Sequence, residues 1–273
     1  MAQENVREQI MSEECVLLDY SDDGVATITL NRPEVHNAFD DAMIARLEDI
    51  FDDVAESKSV RAVVLRAKGK SFSAGADINW MKRAAEYNIQ QNQIDAMELA
   101  SMLNKLYTMP KLTVACVFGA AMGGGMGLVS CCDIVIAEKE TKFALSEVKL
   151  GLIPATIGPY VIRAIGERQA RRYFQTGERF DGEVAYRLGL VHELAARPED
   201  VEPILHNILN EIKGNGPQAM TAAKKLCLDL SGKDILPKVL EDTANRIALI
   251  RAGDEAREGL DAFINKRDAS WKK

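Results

Sequence analysis

The sequence has few of the residues that build the commonest metal and disulfide sites. Its 273 residues include three histidines and five cysteines. Cys131 and Cys132 are adjacent, which suits neither a mutual disulfide nor a CxxC metal knuckle. The histidines lie far apart, with no HExxH pair, and are interpreted as surface or packing residues. We therefore expect no metal, no disulfide framework and a reducing compartment, namely the cytoplasm.

Basic charge and long apolar runs are also scarce. The chain carries 34 Lys and Arg against 41 Asp and Glu, a formal net charge of −7, whereas a general nucleic-acid binder needs a concentrated basic surface. No apolar run approaches the length of a membrane span. The first residues, MAQENVREQIMSEE, lack the basic end and apolar run of a signal peptide. These absences predict a protein whose partners are neither nucleic acids nor membranes.

Three familiar motifs are incomplete in this chain. The segment KGKS lacks the first glycine of a phosphate-binding loop, because Val64 stands at that position. The run GAAMGGGMGL has no GxGxxG spacing, because Leu128 stands where the third glycine is required. Ser73 approaches a nucleophile elbow, but Ser71 replaces its first glycine. A nucleoside triphosphate loop, a dinucleotide site and a hydrolase elbow are therefore not expected.

Apolar runs of strand type alternate with helical patterns in the first 200 residues. VATITL and VRAVVLRA enclose a segment of helical spacing with Asp40 as its N-cap. LTVACVFG and DIVIAE are strand-like runs on either side of the glycine-rich segment. Residues 78–109 predict a loose loop followed by a helix from about Ile94. This recurrence predicts an α/β fold with mainly parallel strands.

From Asp200 the pattern is helical to the end of the sequence. VEPILHNILNEIKG, PQAMTAAKKLCLDLSG and PKVLEDTANRIALIRAG each have apolar residues at helical spacing. We therefore predict two domains, an α/β core over 1–200 that carries the functional site and a helical region over 201–273.

Two glycine-containing turns and one glutamate form the candidate site. The turns FSAGAD and AAMGGGMG lack bulky side chains, so their N–H groups can reach a ligand oxygen, most readily where GGMGLVS opens a helix. Two such donors suit a carbonyl oxygen that becomes an oxyanion. Glu147 lies in the otherwise apolar FALSEVKLGLIP, and desolvation there would raise its pKa and make it a proton carrier. The plainer interpretation is two tight turns and a surface acid.

Five segments, in order and in spacing, resemble the crotonase (enoyl-CoA hydratase/isomerase) superfamily, and most closely its bacterial methylglutaconyl-CoA hydratase-like group. They are NRPEVHNAF, FSAGADI, GAAMGGGMGL with CDIVIA, FALSEVKLGLIP and GLDAFINKR. The resemblance implies a spiral of ββα units with a C-terminal helical trimerisation region. It also implies a homotrimer or a hexamer of two trimers, and an acyl-CoA substrate with no further cofactor, since CoA belongs to the substrate.

Carried over by position, the resemblance makes Ala76 and Gly124 the oxyanion donors and Glu147 the acid–base group. Other positions match segments that surround the acyl-CoA in the family: Glu34, His36, Ala38, Ala74, Gly75, Asp77, Ile78, Gly123, Gly127, Pro154 and Ala155. Phe263 and Lys266 match C-terminal residues that complete the CoA site in relatives, often from a neighbouring subunit.

The sequence departs from two-glutamate hydratases at Gly127, where the first acid of that pair is expected. Ala155 likewise replaces a glycine that lies near the reacting water. With one acid, Glu147, a hydratase would activate water, whereas a Δ3-Δ2 enoyl-CoA isomerase would use the same carboxyl to move a proton between two carbons. A catalytically idle acyl-CoA-binding relative is the third alternative.

Similarity to the methylglutaconyl-CoA group favours the hydratase, a lyase, with a methylglutaconyl-type substrate from leucine degradation as the candidate. It rests on AGADINWMKRAAEY and LSEVKLGLIPATIGPYVIRAIG. Such a substrate carries a second carboxylate, for which Lys82, Arg83 and Arg163 are the candidate partners.

Overall fold

The computed structural model describes residues 14–272. The first thirteen residues, where the sequence predicts no signal peptide, lie outside the described residues. The chain divides into two compact units. The first runs to Met109 and continues over Thr113–Ile204, and the second holds Pro110–Leu112 and the chain from Leu205 onward. Within the described range, no helix is long and apolar enough to cross a membrane.

Nine strands form two sheets within the described residues. They are β1 (Val16–Tyr20), β2 (Val25–Leu30), β3 (Ala62–Ala67), β4 (Leu112–Val117), β5 (Ala120–Met122), β6 (Ile134–Glu138), β7 (Lys142–Ala144), β8 (Phe180–Asp181) and β9 (Glu193–Ala195). The larger sheet has the order β1-β2-β3-β4-β6-β9 and the smaller one β5-β7-β8. In the larger sheet β1 runs antiparallel to β2, while β2 and β3, β4 and β6, and β6 and β9 pair in parallel. The predicted α/β fold is confirmed.

Eleven α-helices fall within the described residues. They are α1 (Asp41–Glu56), α2 (Ile78–Ala84), α3 (Ile89–Tyr107), α4 (Gly124–Cys131), α5 (Gly158–Ile165), α6 (Glu167–Thr176), α7 (Gly182–Leu188), α8 (Val201–Lys213), α9 (Pro217–Leu230), α10 (Pro237–Ala252) and α11 (Asp254–Ile264). The predicted cap of α1 is confirmed, because the Asp40 side chain accepts a hydrogen bond from the Met43 amide. Residues from Val201 onward are helical, as the sequence predicts.

The prediction of a loose loop before Ile94 is wrong. Helix α2 follows Asp77 directly, because the Asp77 carboxylate accepts the amides of Asn79 and Trp80. Helix α3 begins after Asn88, which forms a reciprocal capping box with Gln91. Almost every side chain in the first three turns of α3 is exposed, so the segment has no apolar stripe for a periodicity argument to detect.

The second unit is a set of helices with very few buried side chains. Neither α9 nor α10 contains a buried residue, whereas α1 alone buries six. On α10, Leu240 and Ile247 lie on one helical face and are 58% and 47% exposed. Polar contacts hold the unit together, such as the Glu255 carboxylate that accepts the amides of Gln218 and Ala219 at the start of α9.

Candidate active site

Three extended segments run in the same direction and end at one edge. Strands β5 and β7 pair in parallel with Met122 opposite Ala144, and Ser73 is bridged in parallel to Ala121 in β5. Parallel strands have their carboxyl ends at the same edge of a sheet. The turn after Ser73, the turn after β5 and the short 3-10 helix Glu147–Leu150 after β7 are therefore brought together.

Two glycines let these segments approach each other closely. Gly75 has φ +93° and Gly123 has φ +48°, conformations that residues with a side chain rarely adopt. A Cβ atom built on Gly123 would lie 4.0 Å from the Gly75 Cα and 3.2 Å from the Glu147 Oε1. The two glycine turns and the carboxyl thus share one small volume.

The amide of Ala76 points away from its own strand pairing. Phe39 N donates to Gly75 O and Asp77 N donates to Phe39 O, both at 2.7 Å. Because peptide groups alternate in direction along an extended segment, the N–H of Ala76 faces the side opposite Phe39. Within residues 14–272, no group accepts a hydrogen bond from this amide. Ala76 is also exposed, so its N–H is an available donor.

The amide of Gly124 is the second available donor. Gly124 is the first residue of α4, where an N–H has no acceptor within the helix. Among the described residues, no other group accepts from it either. The helix dipole adds a partial positive charge at this end. The predicted pair of main-chain donors therefore stands beside one carboxyl group.

The other glycines of the segment are explained by contact rather than by turn geometry. A Cβ on Gly124 would lie 2.8 Å from Phe39 Cδ2, and a Cβ on Gly125 would lie 2.8 Å from Ser73 Cβ. Both distances are shorter than two carbon atoms tolerate. Side chains are absent here because neighbouring residues occupy the space against the start of α4.

Glu147 has the environment that the sequence predicts for a proton carrier. Its Oε2 atom is buried and has no hydrogen-bond partner within the described residues. Burial raises the pKa of this carboxyl above its ordinary value, and a hydrogen bond with its own backbone offsets the shift in part. The predicted direction of the pKa shift is confirmed. The carboxyl can therefore hold a proton closer to neutral pH than an exposed glutamate can.

Gly127 is enclosed by apolar side chains. A Cβ atom at this position would overlap Ile157 Cγ2 and would lie 3.6 Å from Leu103 Cδ2. The place of a second acid is thus filled by Ile157. Pro154 is buried and Ala155 is exposed in the turn that leads to Ile157.

Two residues predicted to lie along CoA, Glu34 and His36, are exposed. Glu34 is exposed in the 3-10 helix Pro33–Val35. His36 is exposed in the left-handed conformation, with its Nδ1 3.3 Å from Ser71 Oγ and its carbonyl accepting the Ala74 amide at 2.9 Å.

Other predicted residues differ in how accessible they are. Ala38 and Asp77 are buried, whereas Ala74 is exposed and Ile78 is 70% exposed. Asp77 is the cap of α2 rather than an open polar group, so its contact with a ligand stays a prediction.

Phe263 and Lys266 belong to the second unit. Phe263 lies in α11 with 83% of its surface exposed, and Lys266 follows that helix with a positive φ. Their part in a CoA site, assigned by resemblance to a neighbouring subunit, stays a prediction.

Two of the three candidate partners for a distal carboxylate are already engaged. Arg83 pairs with Asp41 at 2.8 Å. Arg163 lies over the ring of Tyr107, 5.6 Å from its centroid, and contacts its hydroxyl at 3.3 Å. Lys82 is exposed on α2. Lys82 therefore does not have to give up an ion pair with another described residue before it binds an anion.

Sequence reasoning missed three residues that shape the site. Phe39 packs against Gly124, Ile157 packs against Gly127, and the buried Ser73 Oγ accepts the Gly75 amide at 3.2 Å. Ser73 supports the Gly75 turn through this hydrogen bond. Phe39 is the last residue of the segment NRPEVHNAF, so the available signal was a large apolar residue at the end of a motif.

Comparison with solved structures finds the same fold over nearly the whole chain. An enoyl-CoA hydratase from Shewanella pealeana is 41% identical with a TM-score of 0.92, covering 96% of this chain and 98% of that one. AtuE from Pseudomonas aeruginosa is 39% identical with a TM-score of 0.90, covering 95% of this chain and 100% of that one.

Sequence comparison agrees with the structural one. The family model described as enoyl-CoA hydratase/isomerase matches residues 21–273. The 2,3-dehydroadipyl-CoA hydratase of Escherichia coli is 30% identical over 252 residues, which are 91% of this chain and 95% of that protein. The crotonyl-CoA hydratase of Syntrophomonas wolfei is 29% identical over 267 residues, 96% of this chain and 99% of that protein.

Proposed function

The chain belongs to the enoyl-CoA hydratase/isomerase family, and from this premise we propose that it adds water across the double bond of an α,β-unsaturated acyl-CoA. In this proposal the amides of Ala76 and Gly124 hold the thioester oxygen, and Glu147 carries the proton. The relatives from E. coli and S. wolfei are both named as hydratases, which supports hydration as the reaction.

One observation carries the assignment of the site. Two amides that have no acceptor within residues 14–272, those of Ala76 and Gly124, directly follow Gly75 and Gly123, whose turns pack against each other and beside the Glu147 carboxyl. Charge that develops on a carbonyl oxygen is stabilised by donors fixed in place before the reaction. A carboxyl of raised pKa beside those donors can exchange a proton with the adjacent carbons or with water.

The proposed reaction uses Glu147 twice. Its carboxylate takes a proton from water while the water oxygen bonds to Cβ and the double-bond electrons move onto the thioester as an enolate. The amides of Ala76 and Gly124 stabilise the enolate oxygen. The protonated carboxyl then gives its proton to Cα, so that one water molecule is added and Glu147 is restored. No cofactor is needed apart from the CoA of the substrate.

For the acyl group we propose a methylglutaconyl-type dicarboxylic thioester. The 2,3-dehydroadipyl group in the name of the E. coli relative's substrate also ends in a carboxylate. In this chain Gly127 and Ile157 supply no charge where the first acid of two-glutamate hydratases is expected. A substrate carboxylate would bring a negative charge of its own, and Lys82 is the exposed cation proposed to meet it.

The experiment follows the ultraviolet absorbance of the conjugated enoyl thioester, which hydration removes. We expect the absorbance to fall with glutaconyl-type and crotonyl-CoA substrates, and the dicarboxylic substrate to have the higher kcat/KM. Lys82→Met should lower kcat/KM for the dicarboxylic substrate by roughly tenfold, which is the effect expected from the loss of one charge-assisted contact. The same substitution should leave kcat/KM for crotonyl-CoA unchanged. Equal effects on both substrates would remove the distal-carboxylate proposal.

A second candidate, the Δ3-Δ2 isomerase, is supported by the filled space at Gly127. One carboxyl suffices to remove a proton from one carbon and return it to another, whereas two-glutamate hydration uses a second acid. The test is reaction of a 3-enoyl-CoA in deuterium oxide. Deuterium at both Cα and Cγ without net hydration would establish the isomerase, and a 3-enoyl-CoA left unchanged by protein that hydrates crotonyl-CoA would reject it.

We also propose that the helical region, predicted as residues 201–273, joins copies of this chain into a trimer or a pair of trimers. Leu240 and Ile247 on α10 are exposed on one face, and apolar stripes of this kind are normally covered. The adjacent Cys131 and Cys132 fit a reducing compartment, which supports the cytoplasm as its location.

A further inference from the structure

Arg32 occupies a central place beside the site, although neither the sequence pattern nor the family resemblance gave it a role. It follows β2, and 19% of its side chain is exposed. Its Nη1 donates to Ala38 O at 2.7 Å and lies 2.9 Å from Asp40 Oδ2. Its Nη2 donates to Asp77 Oδ2 at 3.1 Å. One guanidinium thus joins two segments of the chain. Their acidic residues, Asp40 and Asp77, are 37 positions apart in the sequence.

The partners of Arg32 enclose the bridge between Phe39 and Ala76. Ala38 and Asp40 are the residues on either side of Phe39, and Asp77 directly follows Ala76. The two carboxylates are also the caps of α1 and α2. The guanidinium therefore contacts both of the segments that this bridge joins.

Phe39 contacts the two segments that carry the proposed oxyanion donors. Its backbone bonds to Gly75 O and to Asp77 N, on either side of Ala76. Its ring lies where a Cβ on Gly124 would be, 2.8 and 2.9 Å from two ring carbons. Phe39 therefore lies between the segment of Ala76 and the start of α4 at Gly124, and its displacement would move one relative to the other.

The chemistry of arginine fits this task better than that of lysine. A planar guanidinium presents several donors at fixed angles, so it can hold two carboxylates and a carbonyl at once. Asp77 has further donors in the Asn79 and Trp80 amides. Burial alone would raise the pKa of Asp77, but these amides and Arg32 outweigh it and lower the pKa. Asp77 is thus an ionised partner for the guanidinium at neutral pH.

We propose that Arg32 is a positioning residue for the oxyanion pair, acting through Asp40, Asp77 and the Phe39 ring to hold the two amides at their working separation. This inference rests on the proposed function, because it assigns a purpose to the donors at Ala76 and Gly124. Donors act best when they lie within hydrogen-bonding distance of the oxygen that gains charge, so a small displacement lowers the rate of the chemical step.

The experiment compares Arg32→Met with Lys105→Met. Lys105 is a matched control in the same unit, because its Nζ also joins two carboxylates, Glu48 at 2.8 Å and Asp52 at 2.6 Å. Lys105 bridges α1 and α3, away from the Phe39 bridge. Both variants lose one cation and leave two acids unpaired, so a general effect on folding or charge should appear in both.

Two measurements distinguish positioning from folding. We expect Arg32→Met to lower kcat by roughly 10- to 100-fold, as small misplacements of catalytic groups do, with KM within about threefold of the parent because ground-state contacts persist. A cinnamoyl-CoA thioester bound to the parent should show an absorption band shifted to longer wavelength, since the donors polarise its carbonyl. The shift should shrink in Arg32→Met and persist in Lys105→Met.

Arg32→Lys keeps the positive charge but not the planar guanidinium with its several donors. We expect this variant to recover only part of kcat and of the band shift. This variant decides the matter if Arg32→Met does not fold. The positioning role alone would be overturned if Arg32→Met or Arg32→Lys kept the kcat and the band shift of the parent. It would also be overturned if Lys105→Met lost as much of both as Arg32→Met. A parent protein that binds cinnamoyl-CoA without any band shift would overturn the proposed oxyanion pair, and the role of Arg32 with it.

Discussion

The two compact units of this chain are stabilised in different ways. In the first unit the large side chains of α1 and of the larger sheet are almost entirely buried, among them Leu47, Phe51 and Leu65. In the second unit only Leu205, Ala262 and Ala269 are buried among the described residues. The first unit therefore contains its own hydrophobic core, whereas the second exposes apolar side chains of the kind that a core normally buries.

This difference separates the proposed active site from the proposed contact between copies. Every element of the proposed Ala76, Gly124 and Glu147 site comes from the first unit, where close packing leaves little freedom to backbone and side chains. The second unit relies on polar contacts such as the Arg267 pair with Glu258 at 2.7 Å, which are individually weak at an exposed surface. The following predictions test that contrast, from the largest expected effect to the smallest.

The largest effect should come from Glu147→Gln in the first unit. We expect kcat for hydration to fall by about 10²- to 10⁴-fold, the usual contribution of a general acid–base group. The melting temperature should not fall, because the buried Oε2 has no hydrogen-bond partner to lose in the part of the chain that the structure describes. Glu167→Gln is the control, since Glu167 is an exposed residue of α6 in the same unit. Full activity of Glu147→Gln would remove the catalytic assignment.

Leu47→Ala should cost the next largest amount of free energy. Leu47 is fully buried in α1, and truncation of such a side chain typically destabilises a protein by about 2–5 kcal/mol. Urea unfolding measures the change. Leu240→Ala on α10 is the comparison, and its effect should grow with protein concentration if a second copy covers the side chain. A loss from Leu47→Ala of less than about 1 kcal/mol, the mean for any substitution, would contradict the contrast between the units.

Ile247→Lys should change assembly more than folding. A lysine on the exposed face shared with Leu240 would place a charge in the proposed contact between copies. We expect a smaller particle mass by sedimentation and an unchanged helical circular dichroism signal. Leu249→Lys is matched in chemistry but lies on the opposite face of α10, 74% exposed. Equal masses for parent and Ile247→Lys would show that this face is not the contact.

The smallest effect concerns the pH dependence of stability, which should have opposite signs in the two units. Hydrogen bonds from Arg267 and the Ser270 amide lower the pKa of Glu258 from 4.5 to about 2. This contribution is present above pH 4.5 and is lost as the pH falls toward 2. Burial raises the pKa of Glu147, so the folded state binds its proton more tightly than the unfolded state, and stability falls as the pH rises above the unfolded value of 4.5.

Melting temperatures between pH 3 and pH 7 check both signs, with pH values chosen to span the ordinary pKa of glutamate at about 4.3. Glu258→Gln should flatten the acid side of the profile, and Glu147→Gln should remove part of the decline at higher pH. A Glu147→Gln profile parallel to that of the parent would show that the carboxyl has an ordinary pKa.

Local signals in the sequence were sufficient for the large strands, for α1 and for the environment of Glu147. The β-branched run of β2 and the Asp40 cap each act within a few residues, and the apolar neighbours of Glu147 are adjacent to it in sequence. The predicted direction of the shift in the Glu147 pKa is confirmed, and its cause is burial of the carboxyl.

The remaining features depend on partners distant in the sequence. Strands β5, β7 and β8 have two or three residues each, too few for a periodic pattern. Arg32 and Asp77 are 45 residues apart, so their ion pair has no local signature. The start of α3 is a polar segment whose helix depends on the Asn88 capping box rather than on an apolar face.

The packing of Ile157 against Gly127 constrains the order in which this site can change during evolution. An acidic side chain introduced at 127 alone would meet Ile157 and would be eliminated for its effect on folding before its effect on chemistry was exposed to selection. A smaller residue at 157 has to come first, at the cost of a temporary cavity. We therefore expect substitutions at 127 and 157 to have non-additive effects on stability, which would make the proposed one-acid site resistant to gradual conversion into a two-acid one.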